Sequence, residues 1–95
     1  MVRHIVMWRL KDRSAASQEK IKAFLLGMTG KIPGLRSLEV GLNFNTTDAA
    51  YDVVLVTVHD SPADLDRYQI HPAHLQVKAY TSQASTAKVV VDYEF

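Results

Sequence analysis

The stretch RYQIHPAH, residues 67–74, gathers Tyr68, His71 and His74, and holds two of the chain's four histidines. Histidine titrates near neutrality, so His74 can take up and return a proton at physiological pH. The hydroxyl of Tyr68 can donate a hydrogen bond to a carbonyl oxygen on which negative charge grows. Spacing alone does not bring the two side chains to one site, because Pro72 breaks the helix between them. Each also has a structural reading. Tyr68 follows Leu65 by three residues, which suits a core tyrosine on a helix. His74 can satisfy a backbone group or pack under a sheet.

His71 and His74 form an H-x-x-H pair, a spacing that can hold a metal. Zinc generally takes three or four protein ligands, and neither a cysteine nor a nearby acidic cluster completes a set, so no metal is expected. His71 precedes Pro72, and the residue before proline is pushed into extended backbone. It is expected to cap the helix that follows, or to border a pocket. His4 alternates with Val6 and Trp8 on one side of an N-terminal strand. It borders the same pocket if that side meets the helices, and an interface if it meets a partner. His59 follows the third strand and is expected to be a solvated strand end. A glycine-rich phosphate loop, a G-x-S-x-G elbow and a dinucleotide fingerprint are all absent, and no cofactor is implied.

The elements that must position these residues are legible as patterns. Residues 2–10, VRHIVMWRL, read as a strand rich in β-branched and aromatic side chains. Ile21, Phe24, Leu25 and Met28 recur at helical spacing, which with Ser14 as N-cap predicts a helix over 15–29. Pro33-Gly34 marks a turn. LRSLEVGLNF follows as a strand, NTTDAA as a hairpin loop, and YDVVLVTVHD as the strongest strand. Ser61-Pro62 opens a second helix, with Ser61 as cap and Pro62 in the first turn. His71-Pro72 breaks it, a further helix runs from about residue 73 to 84, and AKVVVDYEF closes the chain as a strand. The order β-α-β-β-α-β, with the second helix broken, is the ferredoxin-like α+β pattern: an antiparallel sheet with its helices on one face.

The whole chain sets outer limits. Its 95 residues suit a single domain, 1–95, and the formal net charge of +1 gives no reason to expect nucleic acid or an anionic membrane as partner. There are no cysteines, so thiol chemistry and disulfides are excluded. The apolar start is short and interrupted by Arg3, His4 and Arg9, unlike a signal peptide, and no stretch approaches the ~20 apolar residues of a membrane span. A cytoplasmic protein is expected.

One feature of the strands does not fit a lone chain. Ile5 and Met7 oppose Val6 and Trp8, and Val54 and Val56 oppose Val53 and Leu55, so the strands are apolar on both sides. Such strands are normally buried on both faces. No third layer is available, and an exposed apolar sheet invites aggregation. A homodimer packed through the sheet face is the economical solution.

The motifs HIVMWRLKD, IPGLRSLEVGLN, YDVVLVTVHDSPADLDRYQIHPAH and VVVDYEF, in that order, resemble the stress-responsive A/B barrel (Dabb) family over essentially the full length. The resemblance implies a dimeric α+β barrel. The family mixes stress-linked plant proteins, bacterial proteins without assigned role, and a polyketide cyclase. In the cyclase a histidine acts as general base and a tyrosine assists an aldol condensation. By motif position those residues fall on His74 and Tyr68, and a strand-one histidine falls on His4. Ser82, Ser85 and Thr86 stand where the cyclase cavity has aromatic residues, so its polyketide substrate is not carried over. The expected function is small-molecule binding or a stress-associated role, with a small apolar or carbonyl-containing ligand. The alternative is a cofactor-independent cyclase or lyase acting through His74 and Tyr68.

Overall fold

The computed structural model describes residues 1–95, and four strands and three helices follow the expected order. β1 (Val2–Leu10), α1 (Ala15–Leu26), β2 (Leu35–Leu42) and β3 (Val53–His59) precede α2 (Pro62–Ile70), α3 (Pro72–Ala84) and β4 (Ser85–Glu94). The sheet is wholly antiparallel, in the order β2-β3-β1-β4. The fold is ferredoxin-like α+β.

Period-two alternation decides which side chains enter the core. Val2, His4, Val6, Trp8 and Leu10 of β1 are all buried, as are Val53, Leu55, Thr57 and His59 of β3. Ile21, Leu25 and Met28 from the first helical region, Leu65 and Tyr68 of α2, and Val77 of α3 close over that face. The core therefore lies between the sheet and the helices. The opposite face stays uncovered in the chain alone. Met7, Val89 and Val91 are exposed there, and Ile5, Val54, Val56 and Val58 are half-buried.

The helix boundaries follow local chemistry. Ser14 Oγ accepts the Ser17 N–H at 3.2 Å and starts α1. α1 ends at Leu26, three residues before the predicted end. Gly27 caps it, and Thr29 Oγ1 donates to the Leu26 carbonyl at 2.7 Å, which turns the chain out of the helix. Phe24 was expected on the buried stripe. Instead it is 44% exposed and stacks on Tyr80 with ring centroids 4.2 Å apart. Gly34 has φ +81°, and a Cβ there would meet Asp64 Cγ at 2.7 Å. Only glycine fits this turn.

The β2–β3 connection is longer than the expected loop, because β3 begins at Val53. Asp52 is buried, accepting Leu10 N–H at 2.8 Å and Arg13 Nε–H at 3.0 Å. Its own N–H donates to the Trp8 carbonyl at 2.8 Å, pinning the end of the loop to β1.

Ser61 Oγ accepts the Asp64 N–H at 3.2 Å and starts α2, with Pro62 in the first turn. His71 then has φ −67° and ψ 138°, extended as expected before proline. Its Nδ1 accepts the Ala73 N–H at 3.1 Å. One residue thus ends α2 and caps α3.

Candidate functional site

The break at His71-Pro72 has a geometric consequence. It lets α2 deliver Tyr68 and α3 deliver His74 to one point under β1. The rings of Tyr68 and His74 have centroids 4.4 Å apart. His59 packs on Tyr68 at 4.8 Å and His4 at 5.8 Å, both edge-on. Three imidazoles therefore surround one phenol, all from separate elements.

The hydrogen bonds fix what each ring can do. His74 Nδ1 lies 3.0 Å from the Gln69 carbonyl. A carbonyl only accepts, so Nδ1 carries the proton and Nε2 is left as the free lone pair of the neutral ring. Burial favours that neutral form and holds the His74 pKa below its usual value; the nearby charges of His4, Lys78 and Lys88 act the same way, while the Gln69 bond opposes them. His4 Nδ1 pairs with a carboxylate oxygen of Asp92, its cross-strand neighbour on β4. The carboxylate accepts, which orients the His4 ring. Tyr68 is fully buried, and its hydroxyl has no hydrogen-bond partner. Burial raises its pKa well above the usual phenol value, so the group is a neutral donor at any physiological pH. A buried hydroxyl without a partner costs about 1–3 kcal/mol, which a ligand acceptor would recover.

These groups border a cavity of about 70 Å³ between sheet and helices. Its walls include Val6, Trp8, Leu25, Met28 and Leu55 around His4, Tyr68 and His74. Leu25 belongs to the wall, and Phe24 is turned away to Tyr80, so neither fills the space. The rim carries Gln69, Lys78 and Lys88. A volume of this size holds several waters or a ligand of a few heavy atoms, well short of the roughly 300 Å³ at which drug-sized sites begin.

Three of the four residues singled out from sequence meet here: His4, Tyr68 and His74. His71 does not reach the cavity and serves as the helix cap. His59 is corrected. It is fully buried against Tyr68, with Nε2 2.8 Å from Thr57 Oγ1 and Nδ1 without a partner. Alternation from Val53 through Leu55 and Thr57 places it inward, a signal present in the sequence. Lys78 and Thr81 were missed, although with His74 and Val77 they make an i, i+3, i+4, i+7 stripe on α3. Asp92 and Lys88 were missed as well; only strand register places them beside His4 and Trp8. No group of three His, Asp or Glu side chains is arranged to hold a metal ion.

The sequence pattern of the stress responsive A/B barrel domain, Dabb, matches residues 2–95. The chain belongs to this family. Solved structures share the fold of this Dabb domain. A dimeric protein of unknown function with a ferredoxin-like fold from Bacteroides fragilis is 28% identical, with TM-score 0.86 over 99% of this chain and 95% of its own. A dimeric ferredoxin-like protein of unknown function from Thermobifida fusca is 24% identical, with TM-score 0.87 over 99% and 90%. The hydroxynitrile lyase of Passiflora edulis is 22% identical, with TM-score 0.82 over 97% and 90%, and likens the Dabb chain to itself in fold alone. Among curated proteins none matches the chain. No helix of this Dabb domain is long and apolar enough to cross a membrane.

Proposed function

We propose that this Dabb domain binds a small carbonyl compound between sheet and helices and moves a proton on it without a cofactor. The supporting observation is the buried, unpartnered Tyr68 hydroxyl beside a His74 ring whose Nδ1–H is already committed to Gln69. His74 Nε2 takes the proton from the carbon next to the carbonyl. The C–H electron pair forms the new carbon–carbon π bond as the carbonyl π pair moves onto its oxygen, where the Tyr68 O–H donates to the developing charge. His4, held by Asp92, borders the same space and keeps the phenol ring in place. Cavity size favours a lyase-type or proton-exchange reaction on a small substrate over cyclisation of a long chain. The hydroxynitrile lyase from Passiflora edulis, similar in fold, is compatible with such chemistry.

The same reading includes a homodimer. The uncovered apolar face of the sheet, with Met7, Val89 and Val91 exposed, supports packing against a second copy. The dimeric description of the relatives from Bacteroides fragilis and Thermobifida fusca supports it further.

The test is deuterium exchange at the acidic carbon of acetoacetate in D2O, followed by proton NMR. The protein should accelerate exchange, and both Tyr68→Phe and His74→Ala should abolish the acceleration while the fold is retained. Equal acceleration by both variants would remove this mechanism.

A further inference from the structure

The rim of the cavity differs from its walls. Lys78 on α3 and Lys88 on β4 both border the opening and are exposed, while His4, Leu25 and Tyr68 deeper in are buried. Their placement is fixed by regular structure. Lys78 lies one helical turn after His74, and Lys88 is the cross-strand partner of Trp8, on the helix-facing side of β4. Neither ammonium has an anionic partner. The ion pairs of the chain join His4 to Asp92, Arg13 to Asp52, Arg36 to Asp60 and Arg67 to Asp64, and none uses a lysine. Asp92, the β4 acid nearest the opening in register, is engaged by His4.

Two cations thus share one opening to a cavity whose inner end holds an unpartnered hydroxyl. We propose that the substrate is a small carbonyl compound bearing a carboxylate, with the carboxylate held between Lys78 and Lys88 and the carbonyl oxygen directed to the Tyr68 hydroxyl. The proposal rests on the reading of His74 and Tyr68 as a ligand site and names the chemical class that site takes. A carboxylate between the two ammonium groups gains charge-assisted hydrogen bonds. It also offsets the positive field that the two lysines place on His74, and so makes the ring a stronger base once substrate is bound. A small keto acid spans rim to interior in the few heavy atoms that the cavity of about 70 Å³ admits.

The experiment compares two probes of nearly equal size and shape, acetoacetate, which is anionic, and pentane-2,4-dione, which is neutral. Binding is followed by the NMR signals of the Tyr68 and His74 rings, in the wild type and in a Lys78→Gln/Lys88→Gln variant. Both changes are at exposed positions, and circular dichroism checks the fold. The wild type should bind acetoacetate about tenfold or more tightly than the dione at low salt, as expected for hydrogen bonds to a charged group. The preference should shrink as salt is raised, and the two affinities should converge in the variant. Equal affinities in the wild type, or a preference that survives in the variant, would overturn the proposal while leaving the ligand site in place. If neither probe shifts the Tyr68 and His74 signals, the ligand-site reading falls and this proposal with it.

Discussion

The Tyr68 ring lies 4.4 Å, centroid to centroid, from the His74 ring, although the two residues sit on different helices across a proline break. That contact joins the local sequence chemistry to the candidate function, because it brings a neutral donor and a neutral base to one cavity.

The hydroxyl of Tyr68 should be costly to the fold and valuable to a ligand. Tyr68→Phe removes a buried polar group that has no partner and leaves the ring packing unchanged. Stability in urea should rise by about 1 kcal/mol, while binding of a carbonyl ligand weakens. A clear loss of stability would mean that the hydroxyl is satisfied within the protein.

Burial and the charge of His4 hold the His59 pKa below the ordinary 6.5, despite Asp64, Asp92 and Asp60, and burial likewise lowers that of His74. The unfolded chain then binds more protons than the folded one as pH falls below neutrality. The associated stability is complete above about pH 6.5, and is lost as pH falls toward the lower folded-state values. Thermal melts from neutral to mildly acidic pH should show a falling Tm, with a shallower slope in His59→Gln. A flat profile in the wild type would show that neither ring titrates abnormally.

His71 separates structure from chemistry within one motif. Its Nδ1 caps α3 through the Ala73 N–H, and it does not border the cavity. His71→Ala should cost about 1 kcal/mol of stability, whereas His71→Asn should restore most of it by capping in the same way. Neither should alter acetoacetate exchange per folded molecule. A selective loss of exchange in the Asn variant would place His71 in the site.

The bare sheet face makes its own prediction. Val91 is 59% exposed in the single chain, so Val91→Glu should leave the fold of each subunit intact. Placed in an apolar interface, the same charge should split a dimer. Sedimentation at micromolar concentration should give twice the chain mass for the wild type and the chain mass for the variant. A wild-type monomer would remove the dimer from the account.

The order of elements was readable because local signals are strong here: Ser61-Pro62 starts a helix, His71-Pro72 breaks one, and valine-rich alternation marks the strands. The apolar outer face was readable for the same reason. The end of α1 was misplaced because Gly27 and the Thr29 hydroxyl outweighed a hydrophobic stripe that continues to Met28. Phe24 fits the helical period, yet finds its partner in Tyr80, a contact between two helices that spacing cannot show. The site was legible only in part. Tyr68 and His74 stand close in sequence, but their convergence depends on the angle at Pro72. His4, Asp92 and Lys88 enter through the β1–β4 register, which joins the two ends of the chain. His59 was misjudged because its place after a valine run looked like a strand end, when alternation already pointed it inward.

A double-mutant cycle on acetoacetate exchange tests most directly whether Tyr68 and His74 act as a unit on one ligand. Wild type, Tyr68→Phe, His74→Ala and the double variant are compared by rate per folded molecule. A positioned base and a positioned donor each contribute about a hundredfold or more when the other is present. Each single variant should therefore lose most of the acceleration, and the double variant should lose little beyond either single one. Fully additive losses, or acceleration that persists in both single variants, would contradict the account.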